Sequence, residues 1–214
     1  MAAHEIRNPL GVIRATVDLM RARSGARLCE RDQTDLVGIA SEVERLHRLT
    51  QDLVDLAADR PLAWKPTSVA DVLTETARAT EAAFPRVRVL CEISPLPEVQ
   101  ADAARLRQVF GNLLTNAAQA QREGEIRVHA EGDRDSVRVV VSDAGPGIPE
   151  DVRDNLFDLY FTTKSGGTGL GLAIARRLVE RHGGTLAYLH DRVPGTTFEV
   201  ALPISARIST VEGG

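Results

Sequence analysis

The sequence predicts an α-helical hairpin followed by an α+β two-layer sandwich. Apolar residues recur at helical spacings in the first part of the chain, and Pro61 and Pro66 interrupt that pattern. Helical and alternating segments then follow without repeating βαβ units, which favours an α+β arrangement. The resulting boundaries are a hairpin at 1–60, a linker at 61–67, the sandwich at 68–203 and a tail at 204–214.

The first segment is typical of two amphipathic helices joined by a polar turn near Ser24. Its apolar residues are spaced by three, four or seven: Leu10, Ile13, Val17 and Met20, then Leu36, Ile39, Val43, Leu46, Leu53 and Leu56. A hairpin of this size cannot bury both apolar stripes by itself. We therefore expect residues 1–60 to form a homodimer, as a four-helix bundle.

The second segment contains capped helices and alternating strands. Ser68 is the expected N-cap of a helix that ends near Phe84, and Asp102 that of a helix that ends near Arg122. A further helix is predicted at about 170–182. The predicted strands are 86–93, 125–131, 136–143, 185–190 and 196–202.

Composition restricts the class of protein. The chain has 214 residues, 43% of them hydrophobic and 26% charged, with a net charge of −4. These values indicate a globular protein and argue against a nucleic-acid binder. Cys29 and Cys91 are far apart, so neither a disulfide framework nor a zinc site is expected. No apolar run reaches membrane-spanning length and no signal peptide is visible, so we expect a cytoplasmic chain without a membrane segment.

A glycine-rich loop precedes the predicted helix at 170–182. Glycines let the backbone approach a ligand closely, and the free N–H groups of a helix N-terminus attract phosphate. A Rossmann interpretation fails because no βαβ unit surrounds Gly166–Gly171, and a Walker interpretation fails because no Gly-Lys-Ser/Thr occurs. By itself, the pattern also fits a flexible loop.

Two further positions suggest a nucleotide site. Asp143 follows an apolar strand and precedes Gly145 and Gly147, so its carboxylate could accept a hydrogen bond from an adenine amino group. The alternative is a turn aspartate. Asn112 and Asn116 share one face of a helix in which Asn is unfavourable, and an amide oxygen suits Mg²⁺. The alternative is a pair of solvent-facing amides.

The order of these motifs resembles the ATPase domain of histidine kinases. Asn116-Ala, Asp143-x-Gly-x-Gly147, Leu156 to Lys164 and Gly167 to Gly171 follow one another as in that domain, over roughly 68–203. The domain has a Bergerat (GHKL) nucleotide fold, which the gyrase, chaperone and mismatch-repair ATPases share. The resemblance implies that the chain binds ATP and Mg²⁺.

The resemblance also assigns roles to individual residues. Asp143 would bind the adenine amino group, with Gly145 and Gly147 beside the base. Asn116 would ligate Mg²⁺ and Asn112 would lie near the same phosphates. The remaining expected positions are Lys164 in a mobile lid, the lid hinge and phosphate cradle at Gly167, Thr168, Gly169, Leu170 and Gly171, and an aromatic segment with Phe157 and Phe161.

Asn112 distinguishes between branches of that superfamily. Its hydrolysing relatives carry a Glu at the corresponding helix position to activate water. An amide cannot accept a proton, so the resemblance implies weak hydrolysis and delivery of the γ-phosphoryl group to another nucleophile.

The segment His4-Glu-Ile-Arg-Asn-Pro-Leu10 resembles the phosphoacceptor box of histidine kinases. A zinc-protease interpretation fails because Asn8 stands where a second His would be needed. His4 is then the nucleophile, and Glu5 orients and neutralises its imidazole. Asn8 lies one turn further on the same face, where it would orient water against a partner's aspartyl phosphate.

These observations predict autophosphorylation on His4 and transfer to the receiver domain of a response regulator, with phosphatase activity toward the phosphorylated regulator. The alternatives are another enzyme of the same nucleotide fold, such as an anti-sigma-type serine kinase or a chaperone-like ATPase, and an ATP-binding scaffold without transfer. Because the motif begins at residue 4, we expect the chain to be part of a longer receptor.

Overall fold

A computed structural model describes residues 11–20, 30–57, 61–164, 167–189 and 195–205. In the helix at 30–57, it describes the side chains of positions 31–43, 46, 49 and 50. The chain divides into two units. The helical unit comprises Met1–Arg60 and Tyr160–Leu170, and the sandwich unit comprises Pro61–Leu159 and Gly171–Gly214.

Two helices are described in the N-terminal region. Residues 11–20 belong to α1, and α2 extends over Glu30–Ala57. Val17, Leu36 and Val43 are buried. Several other apolar residues of the two helices are exposed in the single chain: Val12, Ile13, Leu19, Met20, Val37, Ile39 and Leu46. Across the described ranges, no helix has both the length and the hydropathy that crossing a membrane would require.

The sandwich unit contains three α-helices, α3 (Val69–Ala83), α4 (Ala103–Gln121) and α5 (Gly171–Arg181). The Ser68 hydroxyl caps α3 by accepting a hydrogen bond of 3.2 Å from the Asp71 N–H. The Asp102 carboxylate caps α4 by accepting from the N–H groups of the second and third residues of that helix. Both predicted N-caps are therefore confirmed.

A five-stranded sheet forms the second layer, with strand order β2-β4-β5-β7-β6. Two shorter strands, β1 and β3, pair antiparallel beside it. The strands are β1 (Lys65–Thr67), β2 (Val87–Ile93), β3 (Val99–Ala101), β4 (Gly124–Gly132), β5 (Ser136–Ser142), β6 (Thr185–Tyr188) and β7 (Thr197–Pro203).

Two of the strand pairings could not be predicted from the sequence. β2 runs parallel to β4, with Cys91 opposite Val128, whereas the other pairs in the sheet are antiparallel. The parallel pair arises because α4 crosses over between these strands. The β1–β3 pair involves three-residue strands that are too short to alternate visibly, and it places part of the expected linker, 61–67, in a strand. A 3-10 helix, Glu150–Asn155, was also not predicted.

The three helices cover one face of the sheet. Alternate residues of β4 and β5, such as Ile126 and Val139, are fully buried against them, together with Phe110 and Leu114 of α4. Burial of each such side chain contributes about 1.5–3 kcal/mol. The opposite face carries charged side chains, for example the pair Arg138–Glu199 at 3.7 Å. The core thus fixes α4 and the loop after β5, which carry predicted site residues.

Candidate functional site

Asp143 lies directly after β5 and is held rigidly by backbone groups. Its Oδ1 atom accepts hydrogen bonds from the N–H of Gly145 at 2.8 Å and from that of Thr196 at 3.2 Å. Its own N–H donates to the Thr196 carbonyl oxygen at 2.9 Å. The side chain is half-buried. Because these bonds orient the carboxylate in advance, it can present an acceptor to a ligand without reordering.

Glycines surround this carboxylate at positions where a side chain would not fit. A Cβ atom at Gly145 would lie 2.8 Å from Asp143 Oδ1 and 3.1 Å from Ala120 Cβ. Gly195 has φ +108°, and a Cβ atom there would overlap the Asp143 carbonyl oxygen. Gly147 has φ +76° and lies against the Gly195 carbonyl. The loop is thus built for close backbone approach, and the role of Gly145 and Gly147 beside the base stays a prediction.

Gln121 joins the end of α4 to the same loop. Its Oε1 atom accepts a hydrogen bond of 3.0 Å from the N–H of Ala144. Its Nε2 atom is buried and has no hydrogen-bond partner among the described residues. The connection fixes the distance between the asparagine-bearing helix and the loop that starts at Asp143.

Asn112 connects the two helices next to the glycine-rich loop. Its Nδ2 atom donates a hydrogen bond of 2.9 Å to the carbonyl oxygen of Gly171, the first residue of α5. A Cβ atom at Gly171 would lie 3.6 Å from the Asn112 side-chain carbon. The bond places the N-terminus of α5, with its positive dipole, directly beside α4.

Asn116 lies one turn after Asn112 on α4 and is also half-buried. Among the residues that the structure describes, no three His, Cys, Asp or Glu side chains cluster closely enough to hold a metal ion. Mg²⁺ that is bound to a triphosphate usually takes only one or two protein ligands and keeps phosphate and water oxygens. A single amide oxygen from Asn116 fits that donor set.

Phe157, from the predicted aromatic segment, anchors the chain to the sandwich. Its ring lies 6.2 Å from that of Phe198 in β7, in an edge-on arrangement, and the Arg176 guanidinium lies 5.2 Å from its centre. Such contacts contribute about 0.5–1.5 kcal/mol each. Phe161 lies beyond this anchor and is half-exposed, next to the exposed Tyr160.

The segment Tyr160–Leu170, which contains the predicted lid residue Lys164, belongs to the helical unit. Lys164 is half-buried, and its N–H and carbonyl groups bond Thr162 Oγ1 at 3.1 Å and the Gly167 N–H at 3.1 Å. Gly169 has φ +68°, and a Cβ atom there would overlap the backbone of Tyr160. The phosphate-binding roles of Lys164 and of Gly167, Thr168, Gly169 and Leu170 stay predictions.

The structure thus brings some of the predicted site residues together, and others lie outside the described residues. Asp143, Gly145 and Gly147 share one loop, and Asn112 meets Gly171. His4, Glu5 and Asn8 lie outside the described residues, so the predicted phosphoacceptor site is not part of this geometry.

Sequence reasoning missed three residues that contact the loop around Asp143. Gly195 and Thr196 follow a proline and precede a strand, which is typical of an ordinary turn. Gln121 ends a helix rich in alanine and glutamine, where a polar residue attracts no attention. The only available signal was the placement of Gly195 before two threonines and a strand. That pattern gives no hint of contact with a residue more than fifty positions earlier.

Comparison with known proteins places both parts of the chain in described families. Residues 101–206 match the family model described as histidine kinase-, DNA gyrase B- and HSP90-like ATPase. Residues 1–60 match the His Kinase A phospho-acceptor domain.

Individual relatives agree with these matches. The chain is 36% identical over 209 residues to the sensor histidine kinase ZraS of Escherichia coli strain K12, covering 95% of this chain and 44% of ZraS. The crystal structure of full-length ShkA in complex with AMPPNP has a TM-score of 0.78 at 26% identity, over 96% of this chain and 45% of ShkA. Histidine kinase ThkA in complex with response regulator TrrA has a TM-score of 0.71 at 29% identity, over 95% and 60%. The chain therefore spans less than half of ZraS and of ShkA.

Proposed function

The chain belongs to the sensor histidine kinases of two-component signalling, and we propose that it transfers the γ-phosphoryl group of ATP to His4. The phosphoryl group then passes to an aspartate in the receiver domain of a response regulator.

The observation that carries this proposal is the hydrogen bond between Asn112 and Gly171. At the helix position where the hydrolysing relatives use a Glu, this chain has an amide that donates to a carbonyl oxygen at 2.9 Å. A donor in that orientation cannot accept a proton from water, so it cannot serve as a general base. The γ-phosphoryl group of bound ATP would therefore be transferred to a nucleophile other than water.

The described residues support binding of ATP in a defined orientation. The carboxylate of Asp143, fixed by Gly145 and Thr196, would accept the amino group of the adenine. The free N–H groups at the start of α5, whose first residue accepts a hydrogen bond from Asn112, would hold the phosphates. ShkA, a structural relative, was crystallised with the ATP analogue AMPPNP. Lys164 and the lid glycines would complete the phosphate site.

Magnesium would be held by the amide oxygen of Asn116 together with phosphate oxygens. When bound, it neutralises the charge that develops on the phosphates during transfer. The contribution of this chain is to position the triphosphate through Asn116 and the neighbouring N-terminus of α5. Positioning and charge neutralisation account for most of the catalysis in phosphoryl transfer.

His4 would act as a neutral nucleophile. One imidazole nitrogen forms the bond to the γ-phosphorus while the bond to the bridging oxygen breaks, and ADP leaves with that oxygen. Glu5 accepts a hydrogen bond from the other imidazole nitrogen and balances its growing charge. Asn8 would orient water against an aspartyl phosphate, which is the basis for the proposed phosphatase activity.

Two protein partners complete the proposal. The exposed apolar residues of α1 and α2, among them Ile13, Ile39 and Leu46, need a second copy of the chain to cover them. The second partner is a response regulator, as in the complex of ThkA with TrrA. Because ATP is the phosphoryl donor, we place this core in the cytoplasm.

Incubation of the chain with γ-labelled Mg·ATP tests the proposal. We expect an acid-labile, base-stable label on the protein that is lost in His4→Gln and retained in His129→Gln. His129 is a suitable control because it is half-exposed on β4, on the charged face of the sheet. Addition of a receiver domain should then remove the label from the histidine.

Each other outcome contradicts the proposal in a distinct way. Label that survives acid would indicate serine chemistry. ATP binding without any label would indicate a scaffold. Rapid release of labelled phosphate by His4→Gln would indicate a hydrolase.

A further inference from the structure

His182 is a buried histidine at the end of α5, and the proposed phosphoryl transfer does not use it. Only 2% of the surface of His182 is exposed to solvent. The Asp102 N–H donates to its Nε2 atom at 3.1 Å, and its Nδ1 atom lies 2.7 Å from the Leu178 carbonyl oxygen. Because a backbone N–H can only donate, Nε2 is the acceptor and Nδ1 carries the proton. The imidazole is thus a neutral connection between α5 and the start of α4.

Asp102 extends this connection to the segment after the helical unit. Its Oδ1 atom accepts from the first turn of α4, and its Oδ2 atom accepts from the N–H of Ala63 at 3.0 Å. Partial burial would raise the pKa of Asp102, but the hydrogen bonds from Ala63, Arg105 and Ala104 outweigh it and hold the pKa below its usual value. The carboxylate therefore stays charged, and its bond to Ala63 is charge-assisted.

Trp64, the residue after Ala63, contacts His182. Its ring meets that of His182 edge-on, with 5.3 Å between the ring centres. The next residue, Lys65, begins β1 and pairs with Ala101 of β3. Ala63 and Trp64 are thus held by side chains immediately before the backbone pairing starts.

Burial is the main reason that His182 stays neutral. Burial lowers the pKa of its imidazole, and Arg181 lowers it further, whereas the hydrogen bond to Leu178 and the charge of Asp102 act in the opposite direction. A neutral ring retains the acceptor that Asp102 requires. Protonation of Nε2 would break that bond.

We propose that His182 and Asp102 form a seat that holds Ala63 and Trp64 on the sandwich unit, and that His182 is thereby a positioning residue for phosphoryl transfer. The inference rests on the proposed kinase function. With the seat formed, Ala63 is the first of the described residues that the side chain of Asp102, the N-cap of α4, holds by a hydrogen bond. Without it, the fixed chain would begin at Lys65, and the tether from Ala57 would lengthen by two residues, or about 7 Å when extended.

This change matters because in-line transfer is sensitive to geometry. A misplacement of about 1 Å can cost on the order of 100-fold in rate. A longer and freer tether also lowers the effective concentration of the acceptor at the nucleotide. Neither effect touches the nucleotide contacts of Asp143 or Asn112, so loss of the seat should lower kcat and leave KM for ATP unchanged.

The first experiment needs no kinase activity, because Trp64 is the only tryptophan in the chain. We expect His182→Ala to increase acrylamide quenching of its fluorescence about twofold, since the ring that covers one edge of Trp64 is removed. His129→Ala, a histidine on the charged face of the sheet, is the matched control and should leave quenching unchanged. Equal quenching in His182→Ala and the parent chain would contradict the proposal that His182 holds Trp64 on the sandwich unit.

The second experiment measures autophosphorylation of the Trp64 variants, which keep His182 and the core intact. Trp64→Ala should lower kcat about tenfold with KM for ATP within about twofold of the parent value, and Trp64→Phe should restore kcat by keeping the edge-on ring contact. An unchanged kcat in Trp64→Ala, or a parallel rise in KM, would overturn the positioning role. Absence of label in the parent chain would contradict the kinase function instead, and the quenching result would still decide the seat.

Discussion

The side-chain amide of Asn112 in α4 donates a hydrogen bond of 2.9 Å to the carbonyl oxygen of Gly171 at the start of α5. This bond joins residues 59 positions apart and brings the two helices expected to bind the phosphates into contact. It also assigns the amide a structural task that a carboxylate could not perform, because a carboxylate would face the carbonyl oxygen with another acceptor.

Loss of this bond should weaken nucleotide binding. Asn112→Ala removes one neutral hydrogen bond, worth about 0.5–1.5 kcal/mol, so we expect the Kd for a non-hydrolysable ATP analogue to rise about two- to thirteenfold. Isothermal titration calorimetry measures this Kd. Gln119→Ala, an exposed position on the same helix, is the matched control. Unaltered affinity in Asn112→Ala would show that the helix contact does not shape the phosphate site.

Asp143 should determine the choice of base. In Asp143→Asn, the side chain can still accept from Gly145 and Thr196 through its oxygen, but its other atom becomes a donor that opposes the adenine amino group. Loss of a charge-assisted hydrogen bond costs about 1.5–3 kcal/mol, so ATP affinity should fall at least about tenfold. Competition between ATP and GTP measures the preference, which should largely disappear. Retained ATP preference would mean that another group recognises the base.

Gly195 should be intolerant of any side chain. A Cβ atom there would overlap the Asp143 carbonyl, and φ +108° is unfavourable for other residues, so Gly195→Ala should lower the free energy of unfolding by about 2 kcal/mol or more. Denaturation followed by Trp64 fluorescence reports this change in the sandwich unit. Gly111→Ala is the control: its Cβ atom would meet only Thr76 Cγ2 at 3.9 Å, and alanine in a helix should stabilise by about 0.5–1 kcal/mol. Similar values for the two variants would contradict the packing argument.

His182 should make stability depend on pH in the mildly acidic range. Burial places its pKa in the folded state below the ordinary value of 6.5, so the unfolded chain binds the proton first as pH falls. Its contribution to the free energy of unfolding is therefore complete above about pH 6.5 and is lost as pH falls toward the folded-state pKa. The corresponding loss for Asp102, whose pKa is also lowered, begins only below its ordinary value of 3.8.

Urea denaturation between pH 5 and pH 8 separates these contributions. The parent chain should lose stability below about pH 6.5, and His182→Gln should show a flatter profile because its amide does not titrate in this range. His129→Gln provides the reference, since His129 is half-exposed. A slope that is the same in His182→Gln as in the parent would mean that His182 is not the group responsible.

Local patterns predicted most of the elements correctly. Ser68 and Asp102 cap their helices as expected, since a side-chain oxygen one position before a helix satisfies free N–H groups whatever the rest of the fold does. The apolar run from Val137 to Val141 likewise identified β5, in which buried residues alternate with more exposed ones. The predicted helix and strand ends differ from those observed by one or two residues, as the fraying of element ends would suggest.

For the N-terminal helices, the sequence predicted which residues form the apolar stripe but not which of them are buried within a single chain. Leu36 and Val43 are buried while Ile39 and Leu46 are exposed in the single chain, and the sequence marks all four alike. A heptad shows that a residue faces a partner, but it does not show whether that partner lies in the same chain.

The amino-acid sequence established the family, and it predicted the two-part organisation and the site residues, because motif order and capping depend on residues close together in the chain. The tertiary structure decided that Asn112 binds the Gly171 carbonyl, that Thr196 and Gly195 hold Asp143, and that Asp102 meets His182 eighty positions later. These contacts depend on how the sheet and its helices pack, which follows from burial of the whole core, and no short segment records that packing.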